Sequence, residues 1–377
     1  MKILIVGGGV AGPTLASALK DQKDVSITLI DKAPQWGNIG YAIALWGNGM
    51  RVLEKIGALH PVLQKGYQMR WNVMEDEKHH VLKQTFFKVF SSYGGTVVIP
   101  RTDLHRALTE TMGENTDVRL GVTVTDIVQN ESGVSVVLSD GMKDTFDLVV
   151  GADGIHSQVR ETVFGSGFLK YYDWRVWAFW TPPGFSHPRG AFEATMGGRI
   201  YFTYPTEDRA VVMFAAALPP DTPREQRHVQ EQLHHLMSGF DAGVHHLIDA
   251  IADPTHVFQD DLAHVDMKTW YKGRVVLTGD AQHATSPLTG MGSSLAMEDA
   301  YVLADELLRN NTIDAALSGY ERRRTSRIKH FRAASDALER WLMVKSPFLA
   351  QCRDVVIRLV PADYFTGVIE KILREEI

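Results

Sequence analysis

Three glycine-rich stretches, each directly after an apolar run, hold the residues whose types and spacing could do chemistry. In the first, Gly7, Gly9 and Gly12 follow the apolar run 3–6 at the spacing G-x-G-x-x-G. The first glycine permits a tight turn, the second lets the backbone approach a pyrophosphate, and the third allows close helix–strand packing. Asp31 ends the next apolar run, about twenty residues on, where a carboxylate can accept hydrogen bonds from a ribose. The pattern predicts a dinucleotide site, with an ordinary strand–helix turn as the alternative.

The other two stretches repeat this arrangement at the ends of later predicted strands. Residues 145–150 run into GADGIHSQVR, which places Asp153 and Arg160 at a strand end. Residues 275–277 run into Gly279-Asp280 and then into a loop with further glycines before a long helix predicted from Ser293 or Ser294. Because ligands of open α/β sheets bind beyond the carboxyl ends of the strands, we expect the three stretches to meet around one extended cofactor. Glycines before a helix also expose N–H groups to an anion.

Arg101 stands where the short strand 97–100 meets the helix predicted for the segment RTDLHRAL. Thr102 or Asp103 can cap that helix, which leaves Arg101 just before its N-terminal end. Surface pairing and contact with the cofactor both remain open for this arginine.

The elements that must position these residues indicate an α/β chain of two domains. Its 377 residues exceed the size of a typical single core. Residues 118–150 alternate as a β-meander whose predicted strands are 118–128, 134–138 and 145–150, and residues 174–217 form further strands rich in aromatic side chains. These aromatic residues suit an apolar sheet face, a pocket wall for a planar substrate, or both. Residues 314–345 predict a helix whose cluster Arg322-Arg323-Arg324 with Arg327 is interpreted as a solvated face.

Composition narrows the function classes. The apolar fraction of 45% and charged fraction of 22% are those of a globular protein, and no stretch is apolar for long enough to span a bilayer. A net charge of −6 gives no footprint for nucleic acid or for an anionic membrane. The single cysteine, Cys352, permits no internal disulfide and favours a cytoplasmic location. The 15 histidines lack ligand spacing, so we predict no metal site and interpret them as solvated or capping residues.

Four segments in this order resemble the single-component (group A) FAD-dependent aromatic hydroxylases, which share the para-hydroxybenzoate hydroxylase fold. They are GGGVAG with Asp31, PRTDLHRAL, GADGIHSQVR and GDAQHATSPLTGMGSSLAMEDA. The last segment looks most like the tetracycline-inactivating and antibiotic-tailoring branch. The resemblance implies a Rossmann-like FAD domain of the GR2 type from 1–70, 97–165 and 265–345. It also implies a mostly antiparallel substrate sheet from 71–96 and 166–264, and a helical C-terminal segment, 346–377.

The resemblance further implies which residues hold FAD. The glycine turn binds the pyrophosphate, Asp31 the adenosine ribose and Asp280 the ribityl chain, while Arg101 contacts the flavin side. Asp153 is associated with both FAD and the nicotinamide donor, and the loop 287–292 lines the isoalloxazine. The full cofactor set is Gly7, Gly9, Val10, Ala11, Gly12, Asp31, Lys32, Arg101, Asp153, Gly279, Asp280, Pro287, Gly290, Met291 and Gly292. For the substrate wall we predict, besides Arg101 and that loop, Trp46, Trp177, Phe179, Tyr201, Phe202 and Phe214.

The activity that follows is an NADPH- or NADH-dependent monooxygenase. FAD is reduced, O₂ adds at flavin C4a to form a hydroperoxide, and one oxygen passes to an aromatic or polyketide-like substrate. The chemistry resides in the cofactor, so no side chain is predicted as an obligatory acid or base. A monomer and a homodimer both remain open. The alternatives are an FAD-linked reductase or dehydrogenase of the same fold, and a flavoprotein that sequesters a drug or metabolite without converting it.

Overall fold

The computed structural model describes residues 1–37, 40–78, 80–86, 96–131, 133–185, 191–219 and 221–361. Its strands are β1 Lys2–Val6, β2 Ser26–Asp31, β3 Ala42–Leu45, β4 Tyr67–Met69, β5 Trp71–Glu75, β6 Val81–Phe86, β7 Thr96–Pro100, β8 Thr116–Leu120, β9 Val124–Asn130, β10 Gly133–Leu138, β11 Lys143–Phe146, β12 Leu148–Gly151, β13 Leu169–Trp180, β14 Ala191–Thr195, β15 Arg199–Pro205, β16 Ala210–Ala217, β17 Phe258–Val265, β18 Tyr271–Lys272 and β19 Val275–Leu277. Its α-helices are α1 Ala11–Ala18, α2 Gly47–Ile56, α3 Leu59–Lys65, α4 Arg101–Thr109, α5 Gln158–Phe164, α6 Val229–Leu236, α7 Ala242–Asp249, α8 Asp280–His283, α9 Gly292–Arg309, α10 Ile313–Leu342 and α11 Pro347–Leu359.

A mostly parallel sheet holds the three glycine-rich stretches. Its strand order is β18-β19-β12-β1-β2-β8, and only the short edge strand β18 runs antiparallel to its neighbour. Ile3, Leu4 and Ile5 have no exposed surface, as expected for a strand covered by other elements on both faces. Val6 pairs with Gly151, and Gly151 pairs with Leu277, so β1, β12 and β19 end at one edge of the sheet. The predicted α/β architecture is confirmed.

The predicted β-meander between residues 118 and 150 is wrong in one respect, because its strands belong to two sheets. The chain turns at Gly121, where φ is +74°, and this turn separates β8 in the parallel sheet from β9 in a three-stranded antiparallel sheet. Asp147 divides the last predicted strand in the same way, into β11 and β12. An apolar pattern shows that strands exist, but it does not show which strands pair.

A seven-stranded sheet of order β17-β13-β16-β15-β14-β5-β6 faces the parallel sheet across a cleft that residues of both sheets line. Successive side chains of a strand point to opposite faces. On β15, Tyr201 packs with α6 and α7, whereas Phe202 packs with Leu288 from the loop before α9. One face of this sheet therefore packs against the helices, and the other face lines the cleft.

The remaining elements cover the parallel sheet and complete its core. Helix α1 packs on β1 and on α9, and the predicted long helices are present as α9 and α10. A second three-stranded sheet, of order β3-β7-β4, packs against Val211 of the seven-stranded sheet. In the C-terminal segment 346–377, predicted to be helical, α11 occupies 347–359, and residues 362–377 lie outside the described residues. The division into domains stays a prediction.

Candidate cofactor and substrate cleft

One cleft of about 400 Å³ runs from the glycine turn at the end of β1 to the loop before α9. Residues from all three glycine-rich stretches line it, together with Arg101 and the cleft face of the seven-stranded sheet. Of the residues predicted to bind the cofactor, those in the wall are Gly7, Gly9, Val10, Ala11, Asp31, Lys32, Arg101, Asp153, Asp280, Pro287, Gly290 and Gly292. The structure thus brings together residues that are far apart in the sequence.

The glycine turn shows a different constraint at each glycine. Gly7 has φ +114°, and a Cβ there would collide with the carbonyl oxygen of Ala152. A Cβ on Gly12 would collide with the carbonyl oxygen of Gly7, so Gly12 supports the turn from behind rather than lining the cleft. A Cβ on Gly9 would have no neighbouring atom within 4 Å, so the open face of this glycine is turned toward the cleft. Packing explains Gly7 and Gly12, and it leaves Gly9 to be explained by a ligand.

Asp31 is held in place by the backbone next to this turn. Its Oδ2 accepts a hydrogen bond from the Gly8 amide at 2.7 Å, and its Oδ1 accepts one from the Ala33 amide at 2.8 Å. A carboxylate has about four acceptor sites, so both oxygens keep capacity for ribose hydroxyls. The predicted role of Asp31 is compatible with these two bonds.

Asp153 begins the turn after β12 and caps helix α5. Its carboxylate accepts hydrogen bonds from the Ser157 hydroxyl at 2.5 Å and from the Gln158 amide at 2.7 Å. Burial raises the pKa of Asp153, although these hydrogen bonds act in the opposite direction. Arg160 is buried behind it and donates to the carbonyl oxygens of Ile155 and Ala281. Arg160 therefore ties the second glycine-rich stretch to the third.

Arg101, Tyr41 and Asp280 share the middle of the cleft. Arg101 is the first residue of α4, and its backbone N–H donates to the carbonyl oxygen of Tyr41 at 3.1 Å. Desolvation within the cleft raises the pKa of Asp280, and the nearby side chains of His283 and Arg101 oppose this rise. Burial also raises the pKa of Tyr41, against the Arg101 charge. A cation and an anion on the cleft wall suit a polar ligand chain that passes between them.

The loop before α9 closes the far end of the cleft. Pro287–Thr289 forms one 3₁₀ turn, and Gly290 follows in the left-handed region with φ +63°. Gly290 and Gly292 line the cleft, whereas Met291 and Gly279 do not; Met291 is buried in the main core, and Gly279 lies against Ala296. Helix α9 begins at Gly292 without a side-chain cap, so its first N–H groups remain available to a ligand.

Most of the aromatic residues predicted for the substrate wall lie on the other face of their sheet. The four that pack with α6 and α7 are Trp177, Phe179, Tyr201 and Phe214. Trp46 is buried in the main core, near Gly290. Phe202 lines the cleft, as does Leu288 of the loop predicted for the substrate wall, and sequence reasoning missed Tyr41, Tyr204, Val211 and Met213. The alternation along β15 and β16 was the available signal for three of them, but it could not show which set of side chains faces the cleft.

A buried ionic network behind the Gly279–Asp280 turn was also missed. Asp299 accepts hydrogen bonds from Arg324 Nε at 2.6 Å and from the Gly279 amide at 3.3 Å, and its Oδ2 lies 2.5 Å from His283 Nε2. Arg324 and Arg327 both pair with Glu298, which has no exposed surface. The interpretation of the arginine cluster as a solvated face is therefore wrong for Arg324 and Arg327, and the interpretation of the histidines as solvated is wrong for His283.

The network shifts the pKa of Asp299. Burial would raise the pKa of this carboxyl, but the charges of His283 and Arg324 and their hydrogen bonds outweigh burial and lower it to about 2. Asp299 therefore stays ionised and anchors the Gly279 amide through a hydrogen bond. This bond positions the next residue, Asp280, in the cleft wall. The spacing of Glu298 and Asp299 on one helix and Arg324 and Arg327 on the next was the sequence signal, but it gains meaning only when the two helices are known to be neighbours.

The cleft wall fits FAD. The open face of Gly9 and the start of α1 suit a pyrophosphate, the anchored Asp31 suits a ribose, and the uncapped start of α9 suits the electron-rich edge of a flavin ring. Among the described residues, no three His, Cys, Asp or Glu side chains are grouped so that they could hold a metal ion. No helix in the described part of the chain is long and apolar enough to cross a membrane.

A parallel sheet with this cleft and an antiparallel sheet facing it define a flavoprotein of the oxidoreductase class. The chain belongs to the family described as FAD binding domain, whose model matches residues 1–335. FAD is accordingly its cofactor, and the chain is an FAD-dependent monooxygenase of a family that typically uses NAD(P)H as reductant.

Relatives and solved structures of this class cover nearly all of the chain. It is 28% identical over 365 residues to 2-heptyl-3-hydroxy-4(1H)-quinolone synthase of Pseudomonas aeruginosa, and the alignment covers 96% of this chain and 94% of that protein. The structure of Klebsiella pneumoniae HpxO with FAD and uric acid superimposes with a TM-score of 0.90 at 24% identity, covering 99% of this chain and 96% of that one. The tetracycline destructase Tet(55) superimposes with a TM-score of 0.80 at 24% identity, covering 99% and 97%. The resemblance to group A hydroxylases is confirmed.

Proposed function

We propose that this monooxygenase adds one oxygen atom to a flat aromatic or polyketide-like molecule bound between the loop 286–292 and the seven-stranded sheet. The observation that carries this proposal is the apolar and aromatic character of the cleft at that end. Phe202, Met213 and Leu288 form one buried cluster there, with Tyr41 and Tyr204 packed against it. Walls of this kind bind flat, apolar rings, and a few polar groups orient them.

Each part of the cleft wall has a proposed task toward the cofactor. The amides of the glycine turn bind the pyrophosphate, Asp31 binds the adenosine ribose, and Arg101 and Asp280 contact the chain that leads to the flavin ring. The amides at the start of α9 stabilise negative charge on the ring edge. When bound, FAD supplies the redox chemistry: it takes a hydride from NAD(P)H and activates O₂ for transfer of one oxygen atom. The apolar wall excludes water from that reaction.

We infer that the charged groups of the cleft wall serve mainly to bind FAD. The charged side chains that line the described part of the cleft are Asp31, Lys32, Arg101, Asp153 and Asp280, with His156 as a further titratable group. All five charged side chains are predicted to bind FAD, and Arg101 is also predicted for the substrate wall, where it could pair with an acidic group of the substrate. By their names, HpxO of Klebsiella pneumoniae binds uric acid and the 30%-identical relative PtnB3 of Streptomyces platensis acts on 3-amino-4-hydroxybenzoate, so the proposed substrate class includes acidic aromatic compounds.

The cellular location, the partners and the domain division are proposed from the sequence and from one side chain. Cys352 is exposed and forms no disulfide, which suits the cytoplasmic location proposed above. The net charge of −6 argues against a nucleic-acid partner. For the oligomeric state, we propose either a monomer or a homodimer. We also propose the division into an FAD domain and a substrate sheet at the boundaries given above.

The test is a screen of phenolic and polyketide compounds with the FAD-loaded enzyme. A substrate should stimulate NAD(P)H oxidation and O₂ consumption together, and its product should gain one oxygen atom. A reductase would consume NAD(P)H without matching O₂ consumption, whereas a sequestering flavoprotein would bind a compound tightly without faster NAD(P)H oxidation. Purified protein that fails to retain flavin absorbance would contradict the proposal at its first step.

A further inference from the structure

A buried carboxyl group lies directly behind the loop that closes the cleft. Glu339, near the end of α10, is only 6% exposed and approaches Ser286, the residue before the 3₁₀ turn. Ser286 is 2% exposed and lines the cleft. The same end of α10 packs through Leu342 against Leu288 of the loop. The carboxyl therefore stands one side chain away from the cleft.

The polar atoms at this place are incompletely paired. Glu339 Oε2 and Ser335 Oγ, one helical turn apart on α10, are buried without a hydrogen-bond partner among the described residues. The Ser286 hydroxyl also lacks a partner of normal hydrogen-bond geometry, although it is close enough to Glu339 to influence its ionisation. Buried polar atoms are rarely left unpaired, since each costs free energy, and exceptions call for a functional explanation.

No cation among the described residues is paired with Glu339. The side chains that face this region are Tyr172 from β13, His264 from β17, and Arg332 and Asp336 from α10. Tyr172 donates to Asp336, and Arg332 bonds Val265 and Asp266 instead of Glu339. No ion pair in the described structure involves Glu339. Its charge is therefore free to respond to charge that forms in the cleft.

The ionisation of Glu339 falls in the physiological range. Burial raises its pKa to about 7, the Asp336 charge adds to that rise, and the Ser286 hydroxyl opposes it. The carboxyl is thus partly ionised near neutral pH, where a nearby negative charge would make it take up a proton.

We propose that Glu339, acting through Ser286, is a positioning residue that takes up one proton from solvent when negative charge forms in the cleft. Reduction of the bound flavin and deprotonation of a substrate hydroxyl are the two events of this kind in the proposed function, on which this inference rests. In either event the proton binds a Glu339 carboxylate oxygen and the Ser286 hydroxyl reorients to bond the charged group in the cleft. No covalent bond other than that O–H bond forms, and no oxidant or further reductant is needed.

The experiment measures the two-electron midpoint potential of FAD in the loaded enzyme against pH, by equilibration with redox dyes and without substrate. Because reduction raises the pKa of Glu339, the wild-type potential should fall more steeply with rising pH just above pH 7 than below it. Glu339→Gln should remove this bend. Asp336→Asn should move it to lower pH, because removing that charge lowers the pKa of Glu339. A merely structural role for Glu339 would not produce this shift.

The control is Asp314→Asn, which removes an exposed carboxylate from the first turn of the same helix and should leave the curve unchanged. A bend that persists in Glu339→Gln, or the absence of a bend in the wild type, would overturn the inference while leaving the monooxygenase proposal intact. Failure of the wild type to bind FAD would instead overturn the proposed function.

Discussion

At the scale of single residues, the glycine turn separates what packing requires from what a ligand requires. Gly7 and Gly12 are required by neighbouring carbonyl oxygens, so their place in the motif is explained without a cofactor. Gly9 has no such neighbour, and its open face lines the cleft. Of these three glycines, only Gly9 can therefore be substituted to test cofactor binding without disturbing the fold.

We predict that Gly9→Ala leaves the free energy of unfolding of the FAD-free protein within about 0.5 kcal/mol of wild type. The new methyl group should occupy the space of the pyrophosphate, and we expect FAD affinity to fall at least about tenfold, or ~1.4 kcal/mol. Urea unfolding and the quenching of FAD fluorescence measure the two effects.

The contrasting variant is Gly7→Ala, in which the collision with Ala152 should lower stability as well as affinity. Unchanged FAD affinity in Gly9→Ala would remove the pyrophosphate from this turn.

At the scale of elements, the seam between α9 and α10 holds a buried ionic network that supports the Gly279–Asp280 turn. We predict that Asp299→Asn lowers the free energy of unfolding by about 2–3 kcal/mol, since it removes the buried anion that Arg324 and His283 share while Arg324 keeps Glu298 as its second partner. Asp305→Asn on the same helix removes a partly exposed partner of Arg309 and Arg323 and should cost no more than about 1 kcal/mol. Urea unfolding of both variants at neutral pH tests the difference.

The same carboxylate should make the protein sensitive to acid. The pKa of Asp299 is about 2 in the folded protein against an ordinary value of 3.8, so its contribution to stability is complete above about pH 4–5. That contribution should be lost as the pH falls from 3.8 toward 2. The wild type should therefore lose more stability over this interval than Asp299→Asn does, and parallel curves for the two proteins would contradict the assignment.

The two faces of the seven-stranded sheet should respond differently to the same substitution. Phe202 on β15 faces the cleft, and Phe214 on β16 packs against Phe179 and Tyr201 on the other face. We predict that Phe202→Leu and Phe214→Leu each cost about 1–3 kcal/mol of stability. Only Phe202→Leu should change the ratio of kcat/KM between two substrates of different ring size.

The measurement compares both variants on the same pair of substrates, with urea unfolding as the record of stability. If Phe214→Leu alters substrate preference as strongly as Phe202→Leu, the assignment of the two faces does not hold.

Sequence reasoning succeeded where a local pattern has a local cause, and it stopped where two distant segments must be paired. The strand ends carrying Gly7, Asp153 and Asp280 were predictable because each follows a buried apolar run directly and the carboxyl ends of parallel strands lie at one edge of a sheet. The faces of Tyr201 and Phe202 were not, because a shift of one residue exchanges them. The burial of Arg324 and Arg327 also required knowledge of which helix lies beside α10.

At the scale of the whole molecule, the cleft is assembled from segments that span most of the described chain, from Val6 to Ala296. A ligand bound there holds several elements together and is lost when they separate. We predict that FAD at about 100 times its dissociation constant raises the free energy of unfolding by ~2.7 kcal/mol. Thermal unfolding with increasing FAD measures this gain, and Gly9→Ala should show much less of it at the same FAD concentration. An unchanged unfolding temperature would contradict a cofactor site in this cleft.

The alternation along β15 and β16 has a consequence for how such an enzyme diversifies. Tyr201 and Phe214 belong to the core beneath the sheet, while Phe202 and Met213, their immediate neighbours in sequence, face the reaction chamber. During evolution, substitutions at the cleft-facing residues of β15 and β16 can therefore change which substrates bind. The alternate residues, which face the core, stay unchanged and maintain the fold. A directed-evolution library restricted to positions 202, 204, 211 and 213 should yield more folded clones with altered selectivity than one of equal size at 201, 203, 212 and 214.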